Sequence, residues 1–70
     1  MTIINKHLFY KLLDDNKTSI SELAEELNIS QTALYDRIRG ARNFKMKELL
    51  FFIKKFQLSG DEFLHIFFNL

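Results

Sequence analysis

The sequence predicts an all-α fold, a five-helix bundle, and three observations carry that prediction. Proline is absent and glycine stands only at Gly40 and Gly60, so the turn punctuation of an all-β chain is missing. Apolar residues recur instead at three- and four-residue steps, the spacing that lines one face of a helix. Seventy residues, 47% of them hydrophobic and 27% charged, hold too much apolar side chain for a disordered segment. They suffice for only one small domain, because chains of this size hide about 60% of the surface they expose when unfolded. Residues 1–70 are therefore read as a single domain.

The first helix is expected from Ile3 to about Asp14, where Ile4, Leu8 and Leu12 make a stripe that Phe9 and Leu13 widen. The polar linker Asp15, Asn16, Lys17 and Thr18 ends it. Ser19 then stands three residues before Glu22, the capping-box spacing in which each side chain satisfies the other's free backbone N–H. A second helix follows over Ile20 to Leu27, with Leu23, Ala24 and Leu27 inward and Glu22, Glu25 and Glu26 toward water. Asn28 tolerates the left-handed conformation of a helix end, and Ser30 offers its hydroxyl to the next helix. That third helix runs from Gln31 to Arg39, buries Leu34 and Ile38, and stops at Gly40, which takes positive φ without a steric penalty. After a loop from Ala41 to Lys45, a fourth helix from about Met46 to Phe56 presents Leu49, Leu50, Phe52, Ile53 and Phe56. Ser59, Gly60 and Asp61 make the last turn. A short fifth helix from Asp61 or Glu62 to Asn69 carries Phe63, Leu64, Ile66, Phe67 and Phe68.

Composition narrows the function classes. Cysteine is absent, so no disulfide staples the domain and no thiolate can hold zinc. No apolar run approaches the 18 or more residues of a membrane span, and Lys6, His7, Lys11, Asp14 and Asp15 interrupt any signal-peptide core. A cytoplasmic protein without a membrane partner is expected. His7 and His65 lie far apart without a clustered acid, so no metal site is assigned. No serine, histidine and aspartate set and no phosphate-cradling glycine loop occurs, so neither catalysis, a cofactor nor a small-molecule ligand is expected. Net charge is only +1, but its distribution is uneven. Asp14 to Asp36 holds six acids against Lys17, whereas Arg37 to Lys55 holds seven bases against Glu48. Such asymmetry is either a solvated face or the footprint of a surface that meets phosphate.

Two short helices joined by a three-residue turn, with alanine inside the first and an apolar residue at the corner, make a helix-turn-helix pattern spanning about residues 19–40. Ala24 is small where the following helix crosses, Ile29 plugs the corner, and Leu34 anchors the second helix to the core. Gln31, Thr32, Tyr35, Asp36 and Arg39 then point outward, polar or aromatic groups able to read base edges or grip phosphate.

The run SISELAEELNISQTALYDRIRGAR from Ser19 to Arg42, followed by ELL at Glu48–Leu50 and FQLSGDEF at Phe56–Phe63, resembles the phage repressor and Cro-type (Xre) helix-turn-helix domains. The resemblance covers roughly Ile4 to Leu64. In detail it is similar to small single-domain regulators of Gram-positive phages and mobile elements, many of which end in a tail like Ile66, Phe67 and Phe68. It implies a lambda repressor-like bundle whose third helix enters the major groove of double-stranded operator DNA. It further implies Gln31, Thr32 and Asp36, with Tyr35 beside them, as base readers. Arg39, Arg42, Asn43 and Lys45 become backbone clamps, and Thr18, Ser19 and Ser21 phosphate donors at the start of the second helix. The commonest form of the family has glycine in place of Asn28, and an apolar residue then glutamate in place of Arg37 and Ile38. The second departure implies a core contact shifted by one residue or a rotated helix, which would exchange Tyr35 for Asp36 as the deepest reader.

Plainer readings stand beside these. Basic residues after a helix are usually solvated, and Tyr35 can equally cover the helix edge as a packing residue. Of the eight phenylalanines, Phe51, Phe52, Phe56, Phe63 and Phe67 fit one small core, while Phe44, Phe68 and Leu70 are left over. They either close the open end of the bundle or, with Phe67, form a homodimer interface on the fifth helix. The expected function is a sequence-specific transcriptional regulator, repressor-like and nucleoid-associated. The rival is an antirepressor-type interaction module that keeps the helix-turn-helix shape but docks another regulator.

Overall fold

The structure, a computed structural model, describes residues 4–70. Five helices follow in order: α1 (Lys6–Asp15), α2 (Ile20–Leu27), α3 (Gln31–Ile38), α4 (Met46–Phe56) and α5 (Gly60–Phe68). α1 packs against α5 and α2 against α3. Helices α2 and α4 have the bounds that periodicity predicts.

Helix ends differ from expectation where a capping residue takes the boundary, and Asn69 is the cap of α5 instead of its last residue. α1 starts at Lys6 rather than Ile3, a residue outside those described, because Asn5 takes the N-cap and its side chain accepts the Leu8 N–H at 3.0 Å. Asn5 also donates its own N–H to the Ile66 carbonyl at 2.8 Å, which pins the approach to α1 onto α5. α3 closes at Ile38, leaving Arg39 as its cap. α5 opens at Gly60, because Ser59 and Glu62 form a second capping box whose hydroxyl accepts the Glu62 N–H at 3.1 Å.

The core is a phenylalanine cluster. Phe9, Phe52 and Phe67 are fully buried together with Leu23 and Leu34. The ring centroids lie 5.7 Å apart for Phe9 and Phe52, 5.9 Å for Phe9 and Phe67, and 5.1 Å for Phe52 and Phe67. The first two pairs meet edge to face, a geometry worth roughly 0.5–1.5 kcal/mol per pair beyond the area buried. Of the two places open to Phe44, packing into the bundle or an exposed patch, the structure gives the first, for it is buried. Its ring stands edge-on to Phe52 at 5.5 Å and to Phe67 at 5.6 Å, so the loop before α4 is nailed into the core. Phe67 is a correction to the sequence reading of the dimer interface. With no exposed surface it has nothing to offer a partner, and of the proposed dimer residues only Phe68 and Leu70 remain exposed. On α1 the buried face is Phe9 and Leu13, with Leu8 and Leu12 only half-buried, and on α4 Leu50 faces solvent.

Candidate nucleic-acid interface

Helices α2 and α3 meet at a tight corner. Asn28 adopts the left-handed conformation at φ 58°, and the Ile29 N–H returns to the Ala24 carbonyl at 3.0 Å. Leu23 and Ala24 of α2 and Leu34 of α3 are buried against one another's helices and the core. Ser30 caps α3 by accepting the Ala33 N–H at 3.0 Å.

With about 100° between successive residues, Leu34, Arg37 and Ile38 fall on the buried side of α3. Thr32, Asp36 and Arg39 fall on the opposite side, and Tyr35 and Gln31 lie on the flank next to Ile38. Gln31, Thr32, Tyr35 and Arg39 are exposed, and Asp36 is intermediate. Arg37 and Ile38, where the chain departs from the commonest form of the family, are both buried, and Tyr35, 45% exposed, is more open to solvent than Asp36. Tyr10 of α1 lies near it. Burial first, and the neighbouring Tyr35 phenol second, push the Tyr10 hydroxyl above its ordinary value.

Arg37 is the residue whose place the sequence did not betray. It is 8% exposed, and its guanidinium donates from Nε to Glu48 Oε1 at 2.9 Å and from Nη1 to the Ala33 carbonyl at 3.1 Å. The same Glu48 oxygen accepts the Lys45 N–H at 2.8 Å. Arg37 thus leaves the basic surface that its position in the run of cations implied. Asp36 accepts Nε and Nη2 of Arg39 at 3.1 and 2.9 Å, so the acid that would repel phosphate carries its own counter-charge, and Arg39 is partly spent on it. Lys55 pairs with Glu26 of α2 at 2.9 Å.

The loop between α3 and α4 is held at both ends. Gly40 takes φ 86°, the Ala41 and Arg42 N–H groups donate to the Asp36 carbonyl at 2.9 and 3.2 Å, and Phe44 and the Lys45 N–H close the far end. Arg42, Asn43 and Lys45 are exposed between and beside these anchors. At the start of α2 the arrangement is less open than the sequence reading expected. The Thr18 hydroxyl donates to the Asn16 carbonyl at 3.1 Å, and the Ser19 hydroxyl and N–H both turn to Glu22. Ser21 alone of the three keeps its hydroxyl exposed without a bond of that kind among the described residues.

Elsewhere, no group of three metal-ligating side chains occurs among the described residues. His65 is exposed and its Nδ1 meets the Leu70 carbonyl. A shallow cleft between α1 and α5 is floored by Leu8, Leu12 and Ile66. No helix among the described residues is long and apolar enough to cross a membrane.

Comparison with known proteins gives a family. A family model described as helix-turn-helix matches residues 9–63. A UPF0122 protein of Mycoplasma capricolum subsp. capricolum is 43% identical over 47 residues, which make up 67% of this chain and 37% of that protein. The chain thus spans little more than a third of that relative's length. No solved structure matches. The corner at Asn28, the small Ala24 beneath it and the outward face of α3 lie inside the matched residues, and the chain belongs to the helix-turn-helix family in its Xre or lambda repressor-like form, a family of DNA-binding regulatory domains.

Proposed function

We propose that this chain is a sequence-specific regulator that occupies double-stranded operator DNA through α3, repressor-like and of phage or mobile-element type, acting in the cytoplasm on the nucleoid. One observation carries the reading: Gln31, Thr32, Tyr35 and Arg39 are exposed along α3 and at its end, and an anchored loop sets Arg42 and Lys45, also exposed, beyond it. Glutamine can pair with adenine N6 and N7, threonine can touch a thymine methyl, and the cations suit phosphate oxygens. Asp36 retains acceptor capacity for a cytosine amine, though Arg39 competes for it. Thr18 and Ser19 contribute to phosphate binding only by exchanging bonds they already make, so Ser21 and the first amides of α2 are the better donors.

The test is selection of bound sequences from a random DNA pool, then titration of the selected duplex at two salt concentrations. Specific binding should weaken steeply, with a slope of about −0.9 per phosphate neutralised. Absence of any retained sequence, with no salt-dependent retention, overturns the reading.

The second reading, an interaction module that docks another regulator, draws on the acidic outer face of α2 and the internal neutralisation of Asp36 by Arg39. It is favoured if the protein captures a helix-turn-helix partner but no duplex. In the DNA reading the chain works as a homodimer that sets two recognition helices about 34–36 Å apart, one turn of the duplex. Phe68 and Leu70, 40% and 74% exposed, are its contact candidates. Phe68→Asp should then give a monomer in sedimentation, and an unchanged mass removes α5 from the contact.

A further inference from the structure

We propose that Arg37 and Glu48 act as positioning residues that fix the register between the base-reading face of α3 and the phosphate-gripping loop, an inference that rests on the DNA reading above. One carboxylate oxygen, Glu48 Oε1, accepts both the Arg37 Nε–H from α3 and the Lys45 N–H that opens α4, at 2.9 and 2.8 Å. Arg37 in turn holds the Ala33 carbonyl one helical turn back. The side chains of the pair are 9% and 3% exposed, so water competes little for these bonds and the geometry they impose is stiff. The strap therefore runs from the last turn of α3 to the residue that ends the loop, and Arg42 and Asn43 lie on the short span it closes.

Such a pair is an inefficient way to hold a core together, since apolar residues of similar volume often serve a buried site as well or better. What an apolar pair cannot do is accept the Lys45 amide and the Arg37 guanidinium on one atom. Base readers and phosphate clamps must meet the duplex together, and a loop free to drift relative to α3 would let each bind at the expense of the other. Neither strap residue reaches DNA itself, so their contribution is to discrimination between sequences and not to the number of phosphates neutralised.

The experiment compares the wild-type chain, Glu48→Gln and the double variant Arg37→Met with Glu48→Met. The glutamine keeps the Oε1 acceptor; the methionine pair removes the strap and leaves no charge buried. Circular dichroism melts confirm that each variant is folded. For the strap, the double variant should bind scrambled duplex as the wild type does, with the same salt slope, while its preference for the selected sequence drops roughly tenfold, the scale of one lost base contact. Glu48→Gln should stay within about twofold of wild type on the same scale. In the free proteins, backbone 15N relaxation of residues 40–45 should show the loop loosened in the double variant and unaltered in Glu48→Gln. A folded double variant with an ordered loop overturns the strap, and so does one that keeps its sequence preference. A wild-type chain that prefers no sequence overturns the regulator reading instead, and the loop relaxation then decides the strap by itself.

Discussion

Helices α2 and α3 are the same object on their inner sides and different objects on their outer ones. Each has eight residues, each is capped by a serine that accepts the N–H of the third helical residue at 3.0 Å, and each buries a leucine completely. Outside, α2 shows Ser21, Glu22, Glu25 and Glu26, whereas α3 shows Gln31, Thr32, Tyr35 and Arg39. The acids on α2 repel phosphate beyond its first turn, and the α3 face is neutral to basic. Caps and buried leucines decide that both segments are helices and how they cross. The leftover outward positions, which packing does not constrain, decide which of the two can approach a duplex.

The largest effect tests the shared inner side. Leu23→Ala and Leu34→Ala should each lower unfolding free energy by about 2–5 kcal/mol in denaturant melts; a Leu34→Ala protein that melts with the wild type would break the equivalence of the two helices. The outer sides come next. Gln31→Ala should relax base preference at one position by about 1–3 kcal/mol, and Arg42→Ala should weaken all duplexes alike and reduce the salt slope by about one. Glu25→Gln on α2 should do neither, and equilibrium titration against selected and scrambled duplexes reads all three. Smaller again, Ser30→Ala should cost about 1 kcal/mol in thermal melts. Ser19→Ala should cost more, because the Ser19 hydroxyl both accepts the Glu22 N–H and donates to the Glu22 carboxylate.

The smallest effect concerns pH. The Ser59 N–H, and secondly its hydroxyl, hold the Glu62 carboxyl below its ordinary value of 4.5. A carboxylate lowered on folding contributes stability that is complete above its unfolded value and is lost as pH falls through its folded one. The melting temperature of wild type should therefore approach that of Glu62→Gln as pH is lowered from about 7 to about 3; a gap that persists in acid would remove the charge from the cap.

Much of this architecture is local and therefore readable along the chain. The bounds of α2 and α4, the Ser19 capping box, the left-handed Asn28 and the positive φ of Gly40 all depend on residues within a few positions of one another. The Ser59 and Glu62 box carries the same three-residue spacing and is equally legible, and it sets the start of α5 at Gly60, one or two residues before the Asp61 or Glu62 that the sequence predicts. What was hidden is tertiary. Arg37 stands in a run of cations and reads as surface; only the fold brings Glu48, eleven positions away, against it. Phe44 sits among Arg42, Asn43 and Lys45 and reads as loop, because nothing local reveals that its ring meets Phe52 and Phe67. The outward set on α3 was legible from the burial of Leu34 and Ile38, but the pairing that mutes Asp36 needed the geometry of Arg39.

Phe44 has a thermodynamic consequence of its own. Segments that fold only on contact with a partner bury apolar area at that moment and produce a large negative heat-capacity change. The loop bearing Arg42 and Asn43 already has its aromatic ring sealed among Phe52 and Phe67 in the free protein. Complex formation through it would leave calorimetry with a small heat-capacity signal, and the encounter would be paced by diffusion and charge rather than by ordering of the chain.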